Sequence, residues 1–374
     1  MLKRCLFQLH WLIGISAGFV LALMGLTGAV YCFEEELIQY LDSSITTVNP
    51  DGRNMLAPAD LLARVRSKKS YVSSLSMSDN PRDAARVGFM NPVAGSDKRK
   101  FELQYLDPYN GELLGTPASE DFFRTTLNLH RKLSLENLGK SITGASTLGL
   151  VFLIVSGVYL RWTQIKNLSW RAWLFINIRE KGRGFLANLH AIAGTCLFLL
   201  YLLFALTGLT WSYDWYRSGL TNLVGVNKIP ALKAKLKPDA ALDIASHNSS
   251  LEPDIALVWK TFNVKVPHYQ KLIMLLPLTP TQSVQILYLD PSATHPYANN
   301  RIVIDGISGT VEKHELYADK TTGEKIMASV YAIHSGHFFG LTGRLIMALA
   351  SLLLPFFVVT GWLMYLQRRK AKSN

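Results

Sequence analysis

The chain has 374 residues, 49% hydrophobic and 18% charged, with 39 Lys and Arg against 27 Asp and Glu and a formal net charge of +12. Mean hydropathy is +0.16, which points away from a set of soluble domains and toward a chain partly dissolved in lipid. The cations gather at the ends of apolar runs, which argues against a nucleic-acid-binding surface, and Cys5, Cys32 and Cys196 imply no disulfide framework.

In chain order, the first apolar run covers 9–33. Its start, "MLKRCLFQLHWLIG", imitates a signal peptide, but the run outlasts an h-region and meets no small-residue cleavage site, so it is expected to be a retained span. Tyr31 before Cys32 argues against lipoprotein processing. Further runs at 142–162, 187–213 and 340–366 are each long enough for a hydrocarbon core of about 30 Å. The expected organisation is a first transmembrane helix (1–33), a polar α+β domain (34–125) and a second helix with an outer extension (126–163). A basic loop (164–185), a third helix (186–213), a second polar α+β domain (214–330), a fourth extended helix (331–366) and a basic tail (367–374) follow.

Lys3 and Arg4, then Arg161, Lys166, Arg171, Arg179, Lys181 and Arg183, then Arg368, Arg369, Lys370 and Lys372 flank the spans. By the positive-inside rule both termini and the middle loop are cytoplasmic, and the two polar segments face outward. In these segments "YLDPYNGELLG" (105–115) and "VIDGISGTVEK" (303–313) each read as strand, turn and strand, with a helix expected over 58–66.

The chain repeats itself. "LHWLIGISAGFVLALMGLTG" (9–28) aligns with "LHAIAGTCLFLLYLLFALTG" (189–208), pairing His10, Gly14, Thr27 and Gly28 with His190, Gly194, Thr207 and Gly208. "LHRKLSLENLGKS" (129–141) aligns with "IHSGHFFGLTGRL" (333–345), pairing His130 with His334, Gly139 with Gly343, Lys140 with Arg344, and farther on Ser156-Gly157 with Thr360-Gly361. The fold class is thus a membrane protein of four helices in a tandem repeat, bearing two small α+β domains.

The repeat sorts the histidines by depth. His10 and His190 begin outward-running spans near the cytoplasmic face, whereas His130 and His334 precede inward-running spans near the outer face. Gly28 and Gly208 lie about 27 Å beyond their histidines and Gly157 and Gly361 about 40 Å beyond theirs, if the helices are continuous. Each level then offers two imidazoles and two glycines, with Gly14 and Gly194 clearing space one turn from the inner pair. That cross-section suits one b-type haem near each face, ligated by His10 and His190 at the inner level and by His130 and His334 at the outer. A lone interfacial histidine is more often an anchor, and a lone glycine in a span a packing residue; two depth-matched pairs exceed either explanation. His337 stays open as a ligand, as a ligand's hydrogen-bond partner, or as a residue near an outer substrate. Lys140 and Arg344 could meet haem propionates, while His247, His268, His295 and His314 read as surface residues.

The span "LHWLIGISAGFVLALMGLTGAVYCFEEEL", the outer "YLDPYNGELLG" and the closing "HSGHFFGLTGRLI…VVTGWLMYL" resemble the PepSY-associated transmembrane proteins of bacterial inner membranes, and among these the FoxB-like siderophore reductases. The resemblance implies a haem-containing oxidoreductase that reduces ferric siderophore on the periplasmic side and frees Fe(II) for uptake, with His10, His130, His190 and His334 at the axial positions. No dinucleotide fingerprint or P-loop is present, so a separate cytoplasmic or membrane electron donor is expected. The rival readings are a siderophore permease without redox chemistry and a PepSY-type regulatory scaffold. The sequence leaves open the siderophore, the donor and whether the chain forms a homodimer.

Overall fold

The computed structural model describes residues 1–67, 71–92, 99–162, 173–175, 180–226, 252–277 and 283–373. Lys166, Arg171, Arg179 and His247 lie outside the described residues. The chain divides into two compact units, one of Met1–Glu34, Asp121–Gly225 and Ser329–Asn374, the other of Glu35–Glu120 and Val226–Ala328.

In the first unit, helices Glu136–Trp162, Gly182–Ser212 and His337–Lys370 are long and apolar enough to cross a membrane. A fourth candidate is the pair Leu2–Ser16 and Gly18–Tyr31, bent by 55°. The bend follows from local chemistry: Ser16 Oγ donates to the Leu12 carbonyl at 2.9 Å, and Gly18 two residues on adds no side chain to stiffen the turn. The last helix is broken at Leu353. Pro355 brings no N–H to the Ser351 carbonyl, and a Cβ on Gly25 would lie 2.5 Å from that same oxygen, so the two helices touch backbone to backbone there. Large apolar side chains such as Phe19, Val155, Leu199 and Leu349 point outward from these helices and are exposed, as a lipid-facing surface requires.

The continuous helices expected after His130 and His334 are not what forms. His130 ends helix Glu120–Lys132 and His334 ends helix Thr322–Ser335, and in both cases the chain turns before re-entering a long helix. The turns use left-handed backbone, at Leu133 (φ 50°), Ser134 (56°) and Glu136 (48°) in one and Gly336 (82°) and Gly340 (64°) in the other. The repeated glycines beyond them explain how each turn closes. A Cβ on Gly139 would fall 1.6 Å from the Lys132 carbonyl oxygen, and one on Gly343 2.6 Å from that of Gly336.

Among the described residues, the second unit is built on one antiparallel sheet of eight strands in the order β4-β3-β2-β1-β5-β6-β7-β8. These are β1 Val72–Ser78, β2 Ala85–Pro92, β3 Arg99–Leu106, β4 Leu113–Gly115, β5 Lys271–Leu275, β6 Ser283–Leu289, β7 Asn300–Asp305 and β8 Val311–Glu315. Where the sequence suggests two separate α+β domains over 34–125 and 214–330, β1 pairs with β5 from Ser74↔Leu275 to Ser78↔Lys271 and makes one sheet of both. Each half alone would leave a strand edge unpaired, and joining the two removes both edges. Alternate residues (Leu75, Val87, Phe89, Leu272, Met274, Ile286, Ile302 and Ile304 among them) form a core with helices Pro58–Arg66 and Ile255–Lys265.

The two strand-turn-strand segments adopt the same turn. Gly111 N donates to Asp107 O at 2.8 Å and Gly309 N to Asp305 O at 2.9 Å, while both aspartates receive the N–H two residues on. Gly111 (φ +73°) and Gly309 (φ +69°) take the left-handed position that closes each turn. His268 and His314 are exposed, but His295 is buried. Its Nδ1 accepts from Tyr297 N at 3.2 Å and its Nε2–H faces Tyr317 Oη at 3.1 Å, so it belongs to the interior of this unit and not to its surface.

Candidate functional site

Two cavities open among the long helices. One, of about 400 Å³, is lined by His10 and His190 with Gly14, Gly157, Gly194 and Gly361. The other, of about 470 Å³, is lined by His130 and His334 with Gly25, Gly28 and Gly208. The structure thus brings His10 together with His190, and His130 together with His334. Leu21, Leu150 and Leu354 line both cavities, so a single layer of side chains separates them.

All four imidazoles are held the same way. His10 Nδ1 lies 2.8 Å from Ser156 Oγ, His190 Nδ1 2.7 Å from Thr360 Oγ1, His334 Nδ1 2.7 Å from Thr207 Oγ1 and His130 Nδ1 3.3 Å from Thr27 Oγ1. Each hydroxyl already donates its only proton to the carbonyl one turn back: Ser156 to Phe152, Thr360 to Phe356, Thr207 to Leu203 and Thr27 to Leu23. With its proton on that carbonyl, each hydroxyl oxygen serves as the acceptor for a histidine Nδ1–H. His130 reaches the same state more strongly, because its Nδ1 also faces the Met24 carbonyl, a pure acceptor, at 2.9 Å. In every ring Nε2 is left with a lone pair, the tautomer a metal ligand needs.

The glycine following each hydroxyl residue has a second use. A Cβ on Gly28 would come 3.0 Å from His130 Cε1, on Gly157 3.3 Å from His10 Cε1 and on Gly208 3.6 Å from His334 Cε1. These glycines back the imidazoles of neighbouring helices. Gly361 differs: a Cβ there would meet nothing within 4 Å and would project into the inner cavity. Gly14 and Gly194 also line that cavity, where an added Cβ would lie 3.7 Å from Leu153 and 3.7 Å from Phe357 respectively. The pair Ser/Thr-Gly, four times repeated, was the signal in the sequence that could have revealed the histidines' hydrogen-bond partners.

The outer pair is well defined in space. The ring centres of His130 and His334 are 6.3 Å apart with 68° between their planes. An imidazole nitrogen sits about 2 Å from a metal it binds and about 1 Å from its own ring centre, so two rings trans on one metal have centres roughly 6 Å apart. Among the described residues no group of three or more His, Cys, Asp or Glu converges anywhere. A metal here would draw two donors from the protein and the rest from its own macrocycle.

The rings are packed unequally in the two halves. Phe357 lies 5.1 Å from His190 between ring centres, while Phe204 and Trp211 lie 5.7 and 5.3 Å from His334. The matching positions in the first half hold Leu153, Met24 and Tyr31. His337 does not line the outer cavity; it sits in the turn His337–Phe339 with Nδ1 2.7 Å from Ser335 Oγ and its ring stacked on Tyr331.

Of the two cations expected near an outer cofactor, Lys140 lines the cavity together with Arg131 and Lys132. Arg344 does not. Its Nε and Nη2 donate to the Cys32 carbonyl at 3.1 and 2.6 Å and its guanidinium lies over Phe33, which closes the end of helix Gly18–Tyr31. The inner cavity is lined by Arg161, Arg183 and Arg368, residues that sequence reasoning assigned to membrane orientation alone. Among the described residues, no acidic side chain lines either cavity.

None of the curated proteins matches the chain. A family model described as the PepSY-associated TM region matches residues 7–368, a stretch that begins just before His10 and contains both cavities. The chain is accordingly a membrane protein of the PepSY-associated transmembrane family.

Proposed function

We propose that the protein is a di-haem b oxidoreductase of the bacterial inner membrane that carries electrons outward across the membrane to reduce ferric siderophore on the periplasmic side. In this reading the helices cross four times in a tandem repeat, with both termini cytoplasmic, as the placement of Lys3, Arg4, Lys181, Arg369 and Lys370 supports. His10 and His190 would hold the inner haem, His130 and His334 the outer.

One observation carries the proposal: four histidines, paired across two cavities, each with Nδ1 engaged by a hydroxyl or carbonyl and Nε2 left to ligate. The 6.3 Å between the ring centres of His130 and His334 is a spacing at which both would be able to hold one iron. When bound, each haem supplies a one-electron Fe(III)/Fe(II) couple that bis-histidine ligation keeps in one coordination state. The protein's own contribution is to fix the ring tautomers, exclude water with Leu21, Leu150 and Leu354, and keep the two sites within one side-chain layer of each other. Reduction of the bound ferric ion weakens its hold by hard siderophore oxygens, which prefer the smaller and more highly charged Fe(III). A flavin reductase or quinol outside this chain would supply the electrons.

The test is the visible spectrum of the detergent-purified chain, oxidised and dithionite-reduced, with pyridine haemochrome quantitation, followed by ferric siderophore under argon. About two haems b per chain, reoxidised by the ferric complex, are expected. A colourless protein from haem-replete cells would refute the reading and leave the permease or scaffold in its place.

A further inference from the structure

The inner cavity holds a feature that membrane orientation does not require. Arg161 ends helix Glu136–Trp162, Arg183 begins helix Gly182–Ser212 and Arg368 lies near the end of helix Leu354–Ser373, and the three line one cavity. Lys3, Arg4, Lys181, Arg369 and Lys370 supply positive charge at the same ends of the helices without lining it. The three arginines also depart from the repeat. The counterpart of Arg161 is Tyr365, which lines the cavity without charge, and that of Arg183 is Lys3, which is not in the lining. Arg368 is steadied by Phe7, over whose ring its guanidinium lies at 5.7 Å. Among the described residues, Glu180 acts electrostatically on Arg161 from outside the lining.

A cavity edged by cations at one end, with largely apolar walls and no acid among the described residues that line it, fits a flat apolar ligand that carries anionic groups on one edge. We propose that Arg161, Arg183 and Arg368 form a carboxylate-binding rim that takes the acid groups of the macrocycle ligated by His10 and His190 and so fixes which way round it sits. This rests on the two-haem reading above. An iron porphyrin diacid between two neutral imidazoles is net anionic in both oxidation states, and more so when reduced. Burying it in a lipid-facing bundle needs compensating cations, and arginine's planar fork matches a carboxylate edge to edge. The arginines come from helices Glu136–Trp162, Gly182–Ser212 and Leu354–Ser373, while helix Leu2–Ser16 lines the cavity without one, and a rim so uneven selects one orientation.

The test compares iron protoporphyrin IX with its dimethyl ester, identical in ring and iron but without the acids. Each is titrated into the full chain in detergent after its own haem has been stripped, in a His334→Ala background so that the His10 and His190 cavity is read by its Soret band. The diacid is expected to bind at least tenfold more tightly than the diester. R161Q/R183Q/R368Q should abolish that preference by weakening the diacid alone, and R161K/R183K/R368K should keep part of it. Equal affinities for diacid and diester in the parent chain overturn the rim and leave the two-haem reading standing. An equal loss of both in the glutamine variant assigns the arginines a merely structural role and also overturns it. Binding of neither probe overturns the rim and the haem reading together. If the glutamine variant does not fold, the parent ratio and the lysine variant still decide.

Discussion

Thr360→Val removes one oxygen and leaves the shape of the side chain almost unchanged. His190 Nδ1 then faces a methyl group where it had a hydroxyl at 2.7 Å, whereas the Phe356 carbonyl that the hydroxyl served keeps its own helical N–H. The variant thus isolates the partner of one imidazole. Losing a hydrogen bond to a buried group costs about 1–3 kcal/mol, and loss of a ligand's outer partner lowers metal affinity by about 10–100-fold. Thr207→Val should do the same at His334, where the contact is also 2.7 Å. Thr27→Val provides the internal control, because His130 Nδ1 keeps the Met24 carbonyl at 2.9 Å and loses only a contact of 3.3 Å. Its effect should be under about threefold. The assay is the rate of haem loss to an excess of acceptor apoprotein, with the reduced spectrum recorded in parallel. Thr27→Val as damaging as Thr360→Val, or Thr360→Val without effect, would refute the argument that these hydroxyls set the tautomers.

The other predictions follow from single contacts. Gly361→Ala should leave the thermal stability of the haem-free chain unchanged yet block haem uptake, since its Cβ would enter the cavity without touching protein, while Gly25→Ala should destabilise the chain itself against the Ser351 carbonyl. Differential scanning fluorimetry beside haemochrome quantitation separates the two. Arg344→Gln should lower stability by about 1.5–3 kcal/mol, the worth of charge-assisted bonds to the Cys32 carbonyl, and leave haem content as in the parent; selective loss of the outer haem would return Arg344 to a cofactor role. In the second unit, burial holds the His295 pKa below its usual value and Nδ1 accepts the Tyr297 N–H, so the fold favours the neutral ring. A base with a depressed folded pKa gives stability that is present above its unfolded value of about 6.5 and is lost as pH falls below it. Melting temperature should therefore drop between roughly pH 7 and 5, and His295→Gln should flatten that slope.

Much of the architecture is written in local pattern. The four apolar runs, the helix over 58–66 and both strand-turn-strand segments depend on composition and periodicity within a dozen residues, and each appears within a few residues of its expected place. His10 and His190 share one cavity and His130 and His334 the other, the grouping expected from matching positions in the repeated sequence, a relation that needs no contact map. What tertiary structure decided are the relations between distant segments. Nothing local in β1 or β5 says that their edges meet, since an unpaired edge can be satisfied by many partners. The glycines at 139 and 343 look like ordinary packing residues until the backward turns after His130 and His334 bring a carbonyl onto them. Arg344 and Arg161 both read as interfacial cations. One spends its charge on the Cys32 carbonyl and the other lines a cavity, because a long side chain goes to whichever unmet polar group the packing of other helices leaves within reach.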